Sequence, residues 1–363
     1  MKIAILLHPS IHLNVDVCGG VERDAIEEIT ELNSRGHTAS LWVSGMTGRH
    51  PHVKVVKDVD WRNRYWKWIY YFRFLCEAWG FDIFHGHYTP ALALLYPSKS
   101  VIHLAGLSVR EIPLYRLFPN RAHGAHYVAC SHHVAESFRK VYPSIPQDHI
   151  HAVHNAADIH LFAKGDRSKP REKVNIVYFG LWEEPKGIFD LLNAVNILEK
   201  RRRDFSLHLI GSAVFEGAGE IQEEIQKEVM EIASRLNTVK VVRPLSHPKL
   251  AEYLKDMDIG VFPSNHKEPF GNVVVEMMAG GLPVIAYDIG GPREIIEHNE
   301  TGYLVPNRDI LGMANAIEEL IAQPEKRYRL GDQGRLRAQH YFNWARHVDE
   351  LVEIYEMILR AKE

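Results

Sequence analysis

The chain has 363 residues, of which 46% are apolar and 25% charged, and its formal net charge is −3. This length predicts two domains with separate cores. The charge balance gives no reason to expect nucleic acid as a partner, because duplex binding needs an excess of Lys and Arg. Three scattered cysteines support neither a disulfide framework nor a Cys-x-x-Cys metal site. The apolar start, Lys2–Leu7, is too short for a signal peptide or a membrane span, so we expect a cytoplasmic protein.

Strand-like and helical segments alternate from the N-terminus onwards, which is typical of parallel α/β sheets. Lys2–Leu7 predicts a buried strand, and Val21–His37 predicts a helix whose end is marked by Gly36. Four further strands are predicted in TASLWVS, FDIFHGH, SVIHLAG and AHYVACS. Helices between them are expected to start near Trp61, Pro90 and Ser131. The first half therefore predicts a Rossmann-like domain.

A second series of the same kind begins at Val174–Gly180 and continues with strands in FSLHLIG and TVKVVRP. Between the two series, Ala152–Lys173 has little apolar periodicity and is the best candidate for a linker. We expect the domain boundary near Lys164. Open α/β sheets usually bind ligands at the carboxyl ends of their strands, so the loops after the strands are the expected place for a site.

The segment EPFGNVVVE, residues 268–276, places two carboxylates around a turn. The preceding DIGVFP predicts a strand, and a helix is expected from Asn272 onwards, closed by a glycine pair. The unpaired amides and dipole at its N-terminus suit a diphosphate, and Gly271 permits close approach. Glu276, one turn inside, can accept two hydrogen bonds from a ribose diol, while Glu268 would reach the group beyond the phosphates. We interpret the spacing as the order sugar, diphosphate, ribose.

Glu268 and Glu276, together with the following GLPVIAYDIGGPREII, resemble the Glu-x7-Glu motif of retaining glycosyltransferases of family 4, which have the two-domain GT-B fold. Other segments similar to this family are CGGVERDAIEEITELNSRGH, DIFHGHY, VIHLAG, VYFGLWEEPKGIFDLLNAV and HNETGYLV. The resemblance implies two Rossmann-like domains that face an interdomain cleft. It implies an acceptor-binding domain at residues 1–164, a nucleotide-sugar-binding domain at 165–340, and a helix at 341–363 that crosses back to the first domain.

The resemblance also implies roles for single residues. Glu276 would hold the ribose, and Glu268 would contact hydroxyls of the donor sugar. Lys186 matches the family's phosphate-binding lysine, and His103 matches a histidine near the transferred sugar. Taken alone, Lys186 could be a surface charge and His103 a packing residue. Backbone positions matched to the donor site are Gly19, Gly20, Gly180, Phe270, Gly271 and Asn272.

One position departs from the family pattern. Leu181 follows Gly180 where the family usually has arginine, so half of the cationic pair expected for the leaving diphosphate is absent. Another cation should replace it, because charge developing on phosphate needs compensation. Arg243 is the candidate by topology, since its loop is expected to open at the same edge of the second sheet. It could equally line the base pocket.

A metal site is a weaker hypothesis. The chain holds 22 histidines, and His85, His87, His132 and His133 stand in pairs. No carboxylate or cysteine accompanies them at a spacing typical of zinc or iron sites. The resemblance implies that helix dipole and basic side chains replace a metal. We therefore expect no metal and no cofactor, with a nucleoside diphosphate sugar as the donor substrate.

The segment Trp61–Leu75 interleaves basic and aromatic residues. As a helix it could contact an anionic membrane surface, or stack a sugar or aromatic acceptor. It could also pack on its own sheet with the basic side chains outside.

The function indicated by these residues is transfer of a sugar, with retention, from a nucleoside diphosphate sugar to an unidentified acceptor hydroxyl. The front-face mechanism proposed for the family would have the leaving phosphate accept the acceptor's proton, while helix amides and Lys186 stabilise the developing charge. A nucleotide-sugar 2-epimerase and a non-catalytic nucleotide-sugar-binding protein are the alternatives. The residues do not determine the sugar, the base or the acceptor.

Overall fold

The computed structural model describes residues 1–15, 19–56, 66–104, 115, 118–166, 172–213 and 219–361. The chain divides into two compact units. The first unit comprises Met1–Ala156 and Trp344–Glu363, and the second comprises Ala157–Asn343. The chain therefore leaves the first unit once, builds the whole second unit, and returns to the first for its last helix.

The first unit contains a parallel sheet of seven described strands. The strands of this unit are β1 (Lys2–Leu7), β2 (Leu13–Asn14), β3 (Thr38–Val43), β4 (Met46–Thr47), β5 (Val53–Val55), β6 (Ile83–His87), β7 (Ser100–Leu104), β8 (His126–Ala129) and β9 (Ile150–Ala152). The order in the sheet is β5-β3-β1-β6-β7-β8-β9, while β2 and β4 form a separate parallel pair. The five strands predicted for this half are confirmed.

The described helices of the first half are α1 (Gly20–Ser34), α2 (Trp66–Glu77), α3 (Ala91–Leu95), α4 (Pro119–Ala122) and α5 (His132–Val141). α1 is amphipathic, and its Ala25, Ile29 and Leu32 lie in the core of the unit. α5 begins where Ser131 caps it, because the serine hydroxyl accepts a hydrogen bond from the Val134 amide at 3.1 Å.

The second unit contains a parallel sheet of six described strands in the order β12-β11-β10-β13-β14-β15. These strands are β10 (Val174–Leu181), β11 (Phe205–Ser212), β12 (Val239–Val242), β13 (Ile259–Phe262), β14 (Val284–Tyr287) and β15 (Gly302–Val305). Its described helices are α6 (Ile188–Glu199), α7 (Glu220–Ser234), α8 (His247–Leu254), α9 (Asn272–Ala279), α10 (Pro292–Ile295), α11 (Ile310–Ala322) and α12 (Pro324–Tyr341). Apolar faces of α6 and α11 form much of its core.

The last helix, α13 (Trp344–Arg360), belongs to the first unit. Its apolar face packs into the same core as α1. The residues of that face are Val348, Leu351, Ile354, Tyr355 and Ile358. The resemblance implied a helix at 341–363, and the structure has a helix over Trp344–Arg360. Among the described residues, no helix has both the length and the apolar character needed to cross a membrane.

The segment expected to link the domains lies partly inside the second unit. Lys164 forms an ion pair with Asp332, and Gly165 packs so closely on Lys255 that an added Cβ would lie 1.9 Å from its carbonyl oxygen. The division of the structure therefore falls before Ala157 rather than near Lys164. Low apolar periodicity did not locate it, because this segment is fixed by polar and backbone contacts.

Candidate functional site

The strand order of the second sheet changes direction at β10. Strands β11 and β12 follow on one side of β10, and β13 to β15 follow on the other. In open parallel sheets, ligands bind outside the carboxyl ends of the strands at such a point. The loop after β10 carries the 3-10 turn Glu184–Lys186, and the loop after β13 carries Glu268. Two of the predicted residues therefore lie where this topology favours a ligand.

Lys186 and Glu268 form an ion pair in these loops. The Lys186 Nζ lies 2.6 Å from Glu268 Oε1, with the lysine side chain 31% exposed and the glutamate side chain 8% exposed. The Ser264 hydroxyl lies 2.8 Å from the same carboxylate oxygen, and His266 Nε2 lies at 3.6 Å. The cation therefore remains accessible while the carboxylate is held from several sides.

The backbone around Glu268 is fixed by two glycines of the DIGG segment. Gly290 has φ 67°, and a Cβ there would lie 2.6 Å from the Glu268 carbonyl oxygen. The Gly291 amide donates to that same oxygen at 2.8 Å. On the other side, the Asn265 amide donates to the Pro185 carbonyl at 3.0 Å, which joins this loop to the Lys186 turn.

The helix that follows, α9, begins at Asn272 as predicted. Gly271 caps it with φ 114°, a conformation that side-chain-bearing residues rarely adopt. The Phe270 ring is buried against Phe342, with ring centroids 5.7 Å apart. Phe270 therefore contributes its side chain to the core, and its backbone is the part suited to a ligand.

Glu276 is buried inside α9 and has a partner that the sequence did not indicate. His247 Nε2 lies 2.9 Å from Glu276 Oε1. His247 is the first residue of α8 and follows no recognised motif, so no sequence signal could have connected it with a carboxylate 29 positions away.

The departure at Leu181 is visible in the structure. Gly180 has φ 146°, and Leu181 exposes its side chain where the family pattern has arginine. The Tyr178 hydroxyl donates to the Leu181 carbonyl at 2.6 Å, and burial raises the pKa of Tyr178, which keeps the donor protonated. Arg243 is exposed after β12, and β11 separates that strand from β10. With neighbouring strands about 4.8 Å apart, the loop of Arg243 starts about 10 Å from β10.

The remaining predicted residues, Gly19, Gly20 and His103, lie in the first unit. Gly19 precedes α1 with φ −70° and ψ 179°, so no left-handed backbone requires glycine there. His103 lies in β7 and is 1% exposed. Its neighbours form a cluster that the sequence reading did not anticipate.

The cluster surrounds the carboxylate of Glu28, which is fully buried. His87 Nε2 donates to it at 2.9 Å, and His347 Nε2 donates at 3.2 Å. The Nδ1 atoms of His103 and His85 lie 3.6 Å and 3.9 Å from the same carboxylate. Glu28 follows Ala25 by three positions and precedes Leu32 by four, so a glutamate on the apolar face of α1 was the available signal.

Charges within the Glu28 cluster follow from burial and hydrogen bonding. Burial alone would raise the pKa of Glu28, but the charge of His87 and the hydrogen bonds of His347 and His87 hold it well below its usual value. Burial lowers the pKa of His347, yet its hydrogen bond with Glu28 and its attraction to that charge raise the pKa on balance. Both nitrogens of His347 face acceptors, because Nδ1 lies 2.8 Å from the His154 carbonyl. We therefore assign His347 as protonated.

Two further histidines of the Glu28 cluster, His85 and His103, are neutral. Burial lowers the pKa of His85 to about 3 and that of His103 well below its usual value. The Tyr355 hydroxyl lies 2.6 Å from His85 Nδ1, and burial raises the pKa of Tyr355, so the tyrosine donates this hydrogen bond.

Four members of the cluster, Glu28, His85, His87 and His103, bring ligand-type atoms within 4.8 Å of one another. The three imidazoles are stacked, with centroids 4.5 to 5.5 Å apart and interplanar angles of 6 to 24°. A tetrahedral metal with bonds of about 2.1 Å needs ligand atoms about 3.4 Å apart and rings that converge. The arrangement fits a hydrogen-bonded charge network better than a metal site.

Comparison with known protein families decides the family. The model described as "Glycosyl transferases group 1" matches residues 141–337, and the model described as "Glycosyltransferase Family 4" matches residues 18–161. The chain belongs to the glycosyl transferases of group 1. The first match includes Lys186, Glu268 and Glu276. The resemblance inferred from the Glu-x7-Glu motif is thereby confirmed.

Individual relatives agree with this family. D-inositol 3-phosphate glycosyltransferase 1 of Catenulispora acidiphila is 29% identical over 237 residues, which are 62% of this chain and 56% of that protein. The chain spans about half the length of the first curated relatives it matches, between 43% and 56%.

Solved structures match nearly the whole chain. Sucrose-phosphate synthase of Thermosynechococcus elongatus has a TM-score of 0.79 at 21% identity, covering 99% of this chain and 100% of that structure. HepE of Anabaena in complex with UDP has a TM-score of 0.78 at 20% identity, covering 98% and 100%. The predicted α/β GT-B fold is confirmed.

Proposed function

We propose that the protein is a retaining glycosyltransferase that moves a sugar from a nucleoside diphosphate sugar to an acceptor hydroxyl, and that the second unit binds the donor. The observation that carries the proposal is the meeting of Lys186 and Glu268 at the carboxyl ends of β10 and β13, directly before the N-terminus of α9. This edge combines a cation, a carboxylate and the N-terminus of a helix, whose dipole favours negative charge, and these suit a sugar joined to a diphosphate. The first unit is proposed to bind the acceptor.

The proposed donor contacts follow the order of residues along the segment. Glu276 accepts hydrogen bonds from the ribose diol, the amides of Phe270, Gly271 and Asn272 face the sugar and phosphates, and Glu268 accepts from sugar hydroxyls. HepE of Anabaena is known in complex with UDP and with UDP-glucose. That relative supports a nucleoside diphosphate sugar as the donor class.

Lys186 has two competing partners under this proposal. In the structure it pairs with Glu268 at 2.6 Å. A bound diphosphate carries more negative charge than one carboxylate, so it would attract the Lys186 ammonium, while Ser264 continues to hold Glu268. The lysine would thus neutralise the leaving group and release the carboxylate for the sugar.

The proposed chemistry needs no protein nucleophile. The bond between the anomeric carbon and the phosphate oxygen breaks, and the acceptor oxygen bonds to the same face of that carbon. The acceptor's proton passes to the leaving phosphate. Lys186 and the amides at the start of α9 stabilise the charge on the phosphate as it develops.

The proposal is tested by mass spectrometry of products from UDP-, GDP- and ADP-sugars, each incubated with and without candidate acceptors. Acceptor-dependent release of nucleoside diphosphate, with the sugar joined to the acceptor in the donor's anomeric configuration, supports it. An epimerised or free sugar formed without acceptor supports a 2-epimerase instead. Donor binding without any product supports a non-catalytic nucleotide-sugar-binding protein.

We also infer a peripheral membrane contact through the surface of α2. Tyr70 and Phe74 turn inwards, and the Tyr70 hydroxyl donates within the core to backbone carbonyls. On the outside, Phe72 is 67% exposed, and Trp79, just beyond the helix, is 73% exposed. Exposed aromatic side chains of this size favour a membrane interface. The predicted basic residues Arg62 and Arg64 lie outside the described residues.

Sedimentation with anionic vesicles tests the membrane contact. Wild-type protein should bind vesicles of phosphatidylserine and phosphatidylcholine, and binding should fall with salt, because screening weakens contacts with anionic lipid. Phe72→Ser should reduce binding. Ile221→Ser is the matched control, because Ile221 is also highly exposed but lies in the second unit. Equal loss in both variants, or no binding at low salt, would contradict the contact.

A further inference from the structure

We propose that His247 is a positioning residue for the donor, whose imidazole orients the Glu276 carboxylate to receive the ribose. The inference rests on the proposed function, which assigns Glu276 to the ribose diol. It adds a residue that no motif in the sequence identifies.

In the hydrogen bond between His247 and Glu276, the histidine is the donor. His247 Nε2 lies 2.9 Å from Glu276 Oε1. An ionised carboxylate can only accept, so the proton of this bond belongs to His247 Nε2. One imidazole N–H occupies one of about four lone-pair positions on the carboxylate. This bond by itself is therefore compatible with a diol that donates to other positions of the carboxylate.

Both partners are attached to regular structure. Glu276 lies within α9, and His247 is the first residue of α8, where Ser246 has the extended conformation expected before a helix. The His247 and Phe162 rings pack in a T-shaped arrangement, with centroids 4.8 Å apart and an interplanar angle of 75°. The donor of the hydrogen bond is therefore held by packing as well as by its backbone.

A carboxylate that is already held in place affects donor binding through side-chain entropy. A free glutamate side chain loses rotamer entropy when it fixes a ligand. When His247 already holds the carboxylate, less of this entropy remains to be lost on binding. The predicted consequence is weaker donor binding without the hydrogen bond, with little effect on the chemical step.

The matched control is His208, a histidine that forms a hydrogen bond with α8, the helix that begins at His247. His208 Nδ1 lies 2.7 Å from the hydroxyl of Tyr253, which is in α8. Replacing His208 removes an imidazole contact with α8 but leaves the contact with Glu276. A general disturbance of α8 would therefore appear in both variants, whereas a specific effect on Glu276 appears only at His247.

Isothermal titration with UDP, GDP and ADP first identifies the diphosphate that binds wild-type protein most tightly. For that probe, His247→Phe should raise Kd about fivefold, below the effect of losing a hydrogen bond to a charged group outright. His247→Gln can still donate from a similar position and should stay within about twofold of wild type. His208→Phe should bind as wild type. In turnover, His247→Phe should raise the donor KM and leave kcat nearly unchanged.

A double-mutant cycle separates this inference from the function on which it rests. In a Glu276→Ala background, His247→Phe should cause no further loss of affinity. If Glu276→Ala weakens binding but His247→Phe does not, the positioning role is wrong and the ribose assignment stands. If Glu276→Ala binds normally, the ribose assignment fails and this inference fails with it. Thermal unfolding checks each variant, and His247→Leu replaces His247→Phe if the latter does not fold, with the same outcomes.

Discussion

Glu28 in the first unit and Glu268 in the second are both buried carboxylates paired with basic side chains, yet their surroundings differ. Among the described residues, the partners of Glu28 are buried imidazoles, including His347 from the last helix. The basic side chains near Glu268 are Lys186 and His266, which are both partly exposed, and Lys186 lies at the carboxyl edge of a sheet. Burial favours a structural role for the Glu28 charge, whereas a carboxylate paired with an accessible cation can exchange that partner for a ligand.

The Glu28 cluster has more ionisable groups than the loops around Lys186 and Glu268, yet it is not the proposed donor site. The Glu28 cluster joins four elements through one carboxylate: α1, the adjacent strands β6 and β7, and α13. The loops around Lys186 and Glu268 join two strand ends at a reversal of strand order. The proposed donor site is therefore located by its position in the topology and not by the number of ionisable groups.

The largest predicted effect is on stability at Glu28. Glu28→Gln keeps the side-chain shape but removes the negative charge, so the protonated His347 would remain buried without a counter-charge. Breaking a buried ion pair in this way typically costs about 3–5 kcal/mol. Urea unfolding should show a loss of this size for the transition of the first unit. Glu268→Gln is the matched variant and should lose much less, because Lys186 reaches solvent. Equal losses would remove the distinction between the two carboxylates.

The next effect is on turnover at Lys186. Lys186→Ala should lower kcat at least a hundredfold, since losing one charge-stabilising group typically costs about 3 kcal/mol in the transition state. Arg243→Ala should be milder, because β11 separates its strand from β10. Leu181→Arg should raise kcat if the site accommodates the longer side chain. Steady-state kinetics with one working donor compares the three, and near-normal kcat in Lys186→Ala would contradict the phosphate assignment.

A smaller predicted effect is the pH dependence of the stability of the first unit. Between pH 7 and pH 5 the unfolded chain protonates its histidines, whereas folded His85, with a pKa of about 3, stays neutral. The unfolded state then binds more protons, so the free energy of unfolding decreases as the pH is lowered. For His85 this decrease between pH 7 and pH 5 is about 2 kcal/mol. The low pKa of His103 acts in the same direction.

The other groups of the Glu28 cluster affect stability over different pH ranges. The raised pKa of His347 gives stability that is present below its unfolded pKa and is lost as pH rises through its folded pKa. The lowered pKa of Glu28 gives stability that is lost only as pH falls through its folded pKa. The free energy of unfolding, measured with urea at several pH values between 7 and 5, should therefore depend less steeply on pH in His85→Phe than in wild type. An equal pH dependence in the two proteins would contradict the assignment of His85 as neutral.

The sequence predicted features that depend on local pattern. The strands that were predicted in the two sheets and the start of α9 at Asn272 follow from periodicity, caps and glycines near in sequence, whereas β5, β9 and β15 were not predicted. The placement of Lys186 and Glu268 at neighbouring strand ends was also predictable, because carboxyl ends of parallel strands share one edge. Their direct ion pair was not predicted.

The features that the sequence missed depend on long-range pairing. His347 is separated from Glu28 by 319 positions, and no periodic pattern connects them. His247 and Glu276 come from two different helices. The division before Ala157 was also missed, because hydrogen bonds and close backbone packing, rather than apolar periodicity, attach the following segment to the second unit.

The most direct test of a ligand role for the second-unit carboxylates is isothermal titration of Glu276→Ala with the nucleoside diphosphate that wild-type protein binds most tightly. Loss of hydrogen bonds to a charged group should cost about 2 kcal/mol, which corresponds to a Kd roughly thirtyfold higher. The free energy of unfolding should change less than in Glu28→Gln. An unchanged Kd in folded Glu276→Ala protein would contradict the account, because the buried carboxylate of α9 would then serve the fold alone.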